Sequence, residues 1–175
     1  MVSRLLIKSL RDTDYRSNFS NRLGIYKKSK SSNIVWFHAV SLGEVISSQQ
    51  IVVEILKEYD VVLSVSTPTG LREAKKIFGN SLEVVYAPWD FIFFVNGFFK
   101  SFNPIGLILF ETEIWPSMIS KAHQSNIPVI ISNARMSEIS YKKYSKLGFF
   151  FADTMKKISL VFAQSKDHEA RFNKL

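Results

Sequence analysis

The chain has no cysteine. That excludes disulfides and thiolate metal sites, and it agrees with a reducing compartment. The three histidines, His38, His123 and His168, lack metal-ligand spacing and are read as non-ligands, so no metal site is expected. Phosphate-loop and dinucleotide glycine fingerprints are absent, because the first strand-like run leads into a single glycine, Gly43. No stretch approaches the roughly 18 consecutive apolar residues of a spanning helix. The start also lacks the apolar region and cleavage site of a secretory leader. Acidic charge is scarce: 15 Asp and Glu stand against 23 Lys and Arg, a net charge of +8.

The excess of positive charge is local. Residues 1–30 hold eight basic side chains (Arg4, Lys8, Arg11, Arg16, Arg22, Lys27, Lys28 and Lys30) against Asp12 and Asp14, a net +6. The rest of the chain carries only +2. A basic arm on a near-neutral domain points to an anionic partner. An anionic membrane surface is expected rather than nucleic acid, because many of the 15 phenylalanines fall in two stretches, 91–99 and 149–151, flanked by lysines. The alternative is that these phenylalanines face the core, where phenylalanine is usually found.

With 175 residues, 46% hydrophobic, the chain is expected to fold as one domain. Residues 1–32 read as a basic, helical and membrane-proximal segment, with Asn21-Arg22-Leu23-Gly24 as a helix stop. Beyond them strand-like runs at 33–39, 61–66, 82–87, 105–110, 127–132 and 159–163 alternate with helix-like runs. The latter lie at about 44–58, 69–78, 91–101, 115–125, 137–157 and 166–174. Strand followed by helix six times over predicts an α/β fold over 33–175, a Rossmann-like open parallel sheet with helices on both faces. Runs such as Gly106-Leu107-Ile108-Leu109-Phe110 and Val129-Ile130-Ile131 are apolar without alternation, as expected of strands covered on both faces. The last element ends at Leu175 without a stop signal, so the chain reads as cut inside a larger protein.

Each strand-like run finishes in a polar cluster: Ser41-Leu42-Gly43-Glu44, Thr67-Pro68-Thr69-Gly70, Pro88-Trp89-Asp90, Glu111-Thr112-Glu113, Asn133-Ala134-Arg135 and Gln164-Ser165. In a parallel sheet the carboxyl ends share one edge, where ligands bind. Six loops are therefore expected to converge on one cleft. Glu44 opens a helix, where the macrodipole favours the ionised form, and it reads either as a general base or as a glutamate that merely decorates a first helical turn. Gly43 would permit an unusual backbone angle or a close ligand approach. Glu111 and Glu113 flank one threonine, a costly pair that implies a perturbed acid or base or a binder of a polyhydroxylated ligand. The alternative for Glu111 is a salt bridge to Arg135. Thr67, Thr69 and Gly70 offer a cradle for an anion or sugar, and Arg135 suits a phosphate or carboxylate. Ser137 is a plausible helix cap.

Taken in order, His-Ala-Val-Ser-Leu-Gly-Glu (38–44), Ser-Thr-Pro-Thr-Gly (66–70), Tyr-Ala-Pro-Trp-Asp (86–90), Glu-Thr-Glu-Ile-Trp-Pro (111–116), Asn-Ala-Arg-Met-Ser (133–137) and Ala-Gln-Ser-Lys-Asp (163–167) form a specific pattern. Over residues 15–175 it resembles the N-terminal half of the 3-deoxy-D-manno-octulosonic acid (Kdo) transferases of lipopolysaccharide assembly. The resemblance implies one half of a GT-B architecture, the acceptor-side domain, with the donor-binding domain lying beyond Leu175. It implies inverting, metal-independent transfer of Kdo from CMP-Kdo to a lipid A precursor, with no cofactor, at the cytoplasmic face of the bacterial inner membrane. It puts the general base on Glu44 and transition-state stabilisation on Glu111. Substrate binding is expected from Ser41, Gly43, Thr67, Thr69, Gly70, Glu113, Asn133, Arg135 and Ser137. Ser117, Trp89 and Ile92 depart from the family's usual asparagine, tyrosine and proline. Two other readings stand beside it: a different GT-B enzyme acting on a lipid-linked sugar, and a non-catalytic membrane-binding fragment.

Overall fold

The computed structural model describes residues 18–146 and 148–175. The β-branched and aromatic runs form one six-stranded parallel sheet: β1 (Ile34–His38), β2 (Asp60–Val65), β3 (Glu83–Tyr86), β4 (Gly106–Phe110), β5 (Val129–Ala134) and β6 (Leu160–Ala163). Their spatial order is β3-β2-β1-β4-β5-β6, the doubly wound arrangement of a Rossmann-like fold. The helices are α1 (Phe19–Arg22), α2 (Leu42–Ile55), α3 (Pro68–Phe78), α4 (Ile92–Phe102), α5 (Pro116–Gln124), α6 (Glu138–Ser145), α7 (Phe149–Met155) and α8 (Lys166–Phe172). Local signals set most starts. Ser41, Thr67, Ser137 and Ser165 each accept a backbone N–H of their helix's first turn, and Pro68 and Pro116 occupy first-turn positions.

One helix differs from the expectation. The run at 137–157 is not continuous but divides into α6 and α7. Gly148 ends the continuity with φ 53° and ψ −131°, a conformation that glycine adopts at little cost and other residues avoid.

The sense of the crossovers reverses between β1 and β4, so the helices lie on opposite faces of the two halves. On one face Trp36, Leu107, Leu109 and Ile131 pack with Phe98, Phe99 and Phe102 of α4 and Met118 and Ile119 of α5. Trp36 stacks on Phe98 with ring centroids 3.7 Å apart. On the other face Phe37, Leu63 and Val65 pack with Val45 and Val52 of α2 and Leu71, Ala74 and Phe78 of α3. The strand register places Ile108, Ile130 and Leu160 on this same face beside Phe37. Ile108 packs at the margin of the α2–α3 cluster, and Ile130 and Leu160 lie beyond it among the described residues. Ile108 and Ile130 are half-buried, while Leu160 and Phe162 are 54% and 59% exposed. Among the described residues the apolar runs of β4 and β5 are therefore fully covered on one face, by α4 and α5, and only partly on the other.

Residues 18–26 dock on α4 backbone to backbone. A Cβ on Gly97 would lie 2.1 Å from the Gly24 carbonyl oxygen, and Gly24 itself has φ 74°. Arg22 is buried, donates to the Ser66 carbonyl at 3.0 Å and lies over the Tyr86 ring at 4.3 Å. It is therefore a structural cation and no part of a basic surface. Lys27, Lys28 and Lys30 are exposed; Arg4, Lys8, Arg11 and Arg16 lie outside the described residues. The phenylalanines of 91–99 divide: Phe98 and Phe99 join the core, whereas Phe91 and Phe93 face outward, Phe93 being 81% exposed. Among the described residues no helix is long and apolar enough to cross a membrane.

Candidate active site

The loops after β1 and β4 flank the point where strand order reverses, the usual ligand crevice of such sheets. After β1, Ser41 and Glu44 form a capping box. The Glu44 N–H donates to Ser41 Oγ at 3.4 Å, Ser41 Oγ–H donates to Glu44 Oε1 at 2.8 Å, and the Val40 N–H donates to Oε2 at 2.8 Å. Glu44 is only 8% exposed. Burial raises its pKa, the bonds from Ser41 and Val40 oppose that, and the charge of Glu111 adds to the rise. The net shift is upward, with burial outweighing the hydrogen bonds that favour the ionised form. The cap and the candidate base are the same side chain.

After β4, Glu111 takes φ 62°, a left-handed conformation that costs a non-glycine residue about 1–3 kcal/mol and clusters at functional sites. Its Oε1 lies 4.0 Å from Arg135 Nη1, with the two side chains 30% and 58% exposed. An exposed pair at that limit contributes about 0–1 kcal/mol, too little to account for the strained backbone. Glu113 Oε2 accepts the Trp115 Nε1–H at 2.8 Å. Burial, and then the charge of Glu44, push the Glu113 carboxyl up to about 7. Glu113's charge also acts, after burial, to raise the Tyr144 phenol on α6. Three carboxylates thus lie within electrostatic reach of one another.

Beneath them sits His38, the last residue of β1 and fully buried. Its Nδ1 is 2.8 Å from Ser64 Oγ, which receives the Trp36 Nε1–H at 2.7 Å. Burial lowers its pKa to about 4, so the ring is neutral near pH 7. The Nε2 atom has no partner, and the ring meets Trp115 edge to face at 5.4 Å. Trp115 therefore stands between His38 and Glu113. Read along the chain, His38, Trp115 and Tyr144 look like core residues. The one hint is that His38 and Trp115 fall inside the same short motifs as Glu44 and Glu113.

A cavity of about 460 Å³ opens along the β4–β6 edge, lined by Glu111, Thr112, Glu113, Arg135, Ser137, Ser140, Gln164 and His168. Thr112 Oγ1 accepts the Arg135 N–H at 3.1 Å and ties two of the loops together. Asn133, at φ 58°, accepts from Gln164 Nε2 at 2.8 Å. Ser137 both caps α6 and reaches the cavity.

The remaining sequence-predicted residues stand elsewhere. Thr67 caps α3, Thr69 donates to it at 3.3 Å, and Gly70 is packed against the loop after β1, where a Cβ would lie 3.4 Å from the Leu42 nitrogen. This loop buttresses Ser41 and does not line the cavity. Gly43 lies in ordinary helical backbone with open space about it, so no unusual angle explains it. Asp90 is taken up as a cap of α5, accepting the Ser117 and Met118 N–H groups at 3.1 and 3.0 Å. The Ser117 hydroxyl, one of the departures noted above, donates to the Asp90 carbonyl at 2.9 Å. The six loops do not all converge: the polar groups after β2 and β3 are spent on capping α3 and α5, while the loops after β4, β5 and β6 line the cavity.

A Rossmann-like α/β unit with clustered carboxylates at its strand-order reversal belongs to the class of ligand-binding doubly wound domains. A solved structure of UDP-N-acetylglucosamine 2-epimerase superimposes with TM-score 0.54 over 82% of this chain and 45% of that one, at 16% identity, a likeness of fold alone. The profile of the family described as 3-deoxy-D-manno-octulosonic-acid transferase (kdotransferase) matches residues 17–175. The chain belongs to this family. It is 32% identical to the 3-deoxy-D-manno-octulosonic acid transferase of Haemophilus influenzae, over 98% of this chain and 40% of that protein. It is 31% identical to a bifunctional glycosyltransferase/methyltransferase of Fusobacterium nucleatum, over 81% of this chain and 23% of that protein. The chain thus spans well under half the length of these relatives.

Proposed function

We propose that this chain is the acceptor-side half of a glycosyltransferase that moves Kdo from CMP-Kdo to a lipid A precursor in lipopolysaccharide biosynthesis. The observation that carries the reading is the trio Glu44, Glu111 and Glu113 at the strand-order reversal, two of them with raised pKa, in a chain of the Kdo transferase family. In an inverting transfer the acceptor hydroxyl gives its proton to a carboxylate as its oxygen attacks the anomeric carbon and CMP departs. Glu44 is the proposed base; its raised pKa brings it closer to the operating pH than an ordinary carboxylate. Glu111, held in its strained turn, is proposed to face the positive charge that develops on the sugar. No metal or cofactor enters the proposed step. Ser41, Gly43, Asn133, Arg135 and Ser137 would bind substrate, with Thr67, Thr69 and Gly70 behind them.

The donor would be held mainly by a second, GT-B-type domain such as the longer relatives have room for. The membrane-facing side would be the outward group Phe19, Ile25, Phe91, Ile92 and Phe93, which are 36–81% exposed, together with Lys27 and Lys28. Aromatic and basic side chains mixed in this way suit an anionic bilayer at the cytoplasmic face of the inner membrane.

A specific observation favours a second assignment of the base. Both oxygens of Glu44 already accept bonds inside the capping box, whereas Glu113 has an oxygen free of Trp115 and a pKa of about 7. The reaction itself is tested by incubating a full-length protein with CMP-Kdo and a lipid A precursor, following CMP release and the mass of the lipid. A mass gain of one Kdo residue or more is expected. Absence of transfer with this donor, alongside transfer from another sugar nucleotide, would overturn the reading.

A further inference from the structure

The β5–β6 side of the cavity contains donors that the proposed proton transfer does not use. We propose that Arg135, His168, Ser140 and Gln164 form an oxyanion subsite that takes a phosphomonoester or carboxylate carried by the substrate. This rests on the cavity being the substrate site, as argued above.

His168 is the decisive residue. The Met136 N–H donates to its Nδ1 at 3.1 Å, and Arg171 Nη1 lies 3.3 Å from the same atom. The Met136 carbonyl lies 3.0 Å from Nδ1 and also accepts from Arg171 at 2.8 Å. The proposed subsite uses the tautomer in which Nδ1 accepts from Met136 N–H and Arg171, which puts the ring hydrogen on Nε2. Arg171 is held in turn by Glu138, at 3.4 Å. The imidazole is thereby fixed through Nδ1, and the residue lines the cavity.

The other donors agree. Among the described residues the Arg135 guanidinium has only the 4.0 Å approach to Glu111, which leaves most of its planar fork unused. Ser140 Oγ accepts from Ser137 Oγ at 2.9 Å, so its own hydrogen is left to donate. Gln164 Nε2 spends one hydrogen on Asn133 and keeps the other. The cavity is therefore polarised, with carboxylates from the β4 loop at one end and donors from the β5 and β6 loops at the other. Adjacent strands are about 4.8 Å apart, so β4 and β6 ends are separated by about 10 Å. An anion beside His168 is thus kept away from Glu113.

The test has a binding arm and a kinetic arm. Inorganic phosphate and acetate are titrated into the ¹⁵N-labelled chain, with glucose as neutral control, while the His168 ring and Arg135 side-chain resonances are followed. Saturable shifts of both are expected in the native chain, with the Arg135 shift lost in His168→Phe and regained in His168→Gln, because glutamine restores a donor near the Nε2 position. Absence of saturable shifts, or shifts unchanged in His168→Phe, would overturn the subsite. In the full-length protein His168→Phe should raise KM about tenfold for the substrate that bears the anion. A rise only for phosphorylated acceptor assigns the site to a phosphomonoester, and a rise only for the donor assigns it to the sugar's carboxylate. Unchanged KM for both contradicts it. Phosphate binding at His168 without any Kdo transfer would keep the subsite and sink the proposed function, whereas transfer indifferent to His168 and Arg135 would do the reverse.

Discussion

The two halves of the sheet use similar sequences to different ends. In the β1–β3 half both faces are covered, and the polar groups at the strand ends serve one another: Thr67 caps α3, Asp90 caps α5, and Ser41 and Glu44 cap α2. In the β4–β6 half one face is left partly open by the described residues, two non-glycine residues at the strand ends sit at positive φ (Glu111 and Asn133), and the loops line a cavity with donors left over. The first half is mainly scaffold, although His38 Nε2 and Trp89 Nε1 lie buried in it without a hydrogen-bond partner. The second keeps strain and unused hydrogen-bonding capacity, as binding sites do. Glu44 belongs to the first half by its bonds and to the second by its electrostatics, and the reaction is proposed where the two meet.

One pair of leucines tests this contrast most strongly. Leu63 and Leu160 occupy the same face, the first fully buried under α2 and α3, the second 54% exposed. Leu63→Ala should cost about 2–5 kcal/mol in a urea unfolding experiment. Leu160→Ala should stay within about 0.5 kcal/mol. Similar losses at both sites would mean that the open part of that face is covered in solution.

A second test uses pH. Glu113 is raised to about 7 in the folded chain from an ordinary 4.5, so the folded state holds the extra proton and stability falls as pH rises through that window. His38 is lowered to about 4 from 6.5, so the unfolded state holds the extra proton and stability rises between those values. The two oppose each other at pH 4.5–6.5, each by at most about 3 kcal/mol, with less from the partly solvated Glu113. Glu113→Gln should therefore leave stability climbing with pH, and His38→Asn should leave it falling, in denaturant melts taken from pH 4 to 8. Parallel pH profiles in the two variants would break the account of the site's floor.

Much of this was legible in the sequence because it is local. Strand positions followed from runs of β-branched residues, and Ser41, Thr67 and Ser137 sat where caps belong. The loops rich in carboxylates marked the edge that matters. What stayed hidden depends on distant partners. Asp90 looks like a cleft residue until α5, 27 positions on, claims its oxygens. Ile108 and Ile130 read as doubly buried because the sequence does not say on which face a crossover lands. The break at Gly148 is masked in the sequence because helical periodicity resumes beyond it. His168 reads only as a non-ligand, because its contacts to Met136 and Arg171 are not visible in the sequence.

The claim that proton transfer occurs at the strand-order reversal is tested most directly by Glu44→Gln in a full-length protein, with Kdo transfer measured under single-turnover conditions and folding checked by thermal melting. The substitution keeps the shape of the capping box and removes the basic oxygen. A loss of about 10²–10⁴-fold in rate with the fold intact is predicted. Near-normal transfer by Glu44→Gln would contradict it, and a matching loss in Glu113→Gln alone would move the base to Glu113.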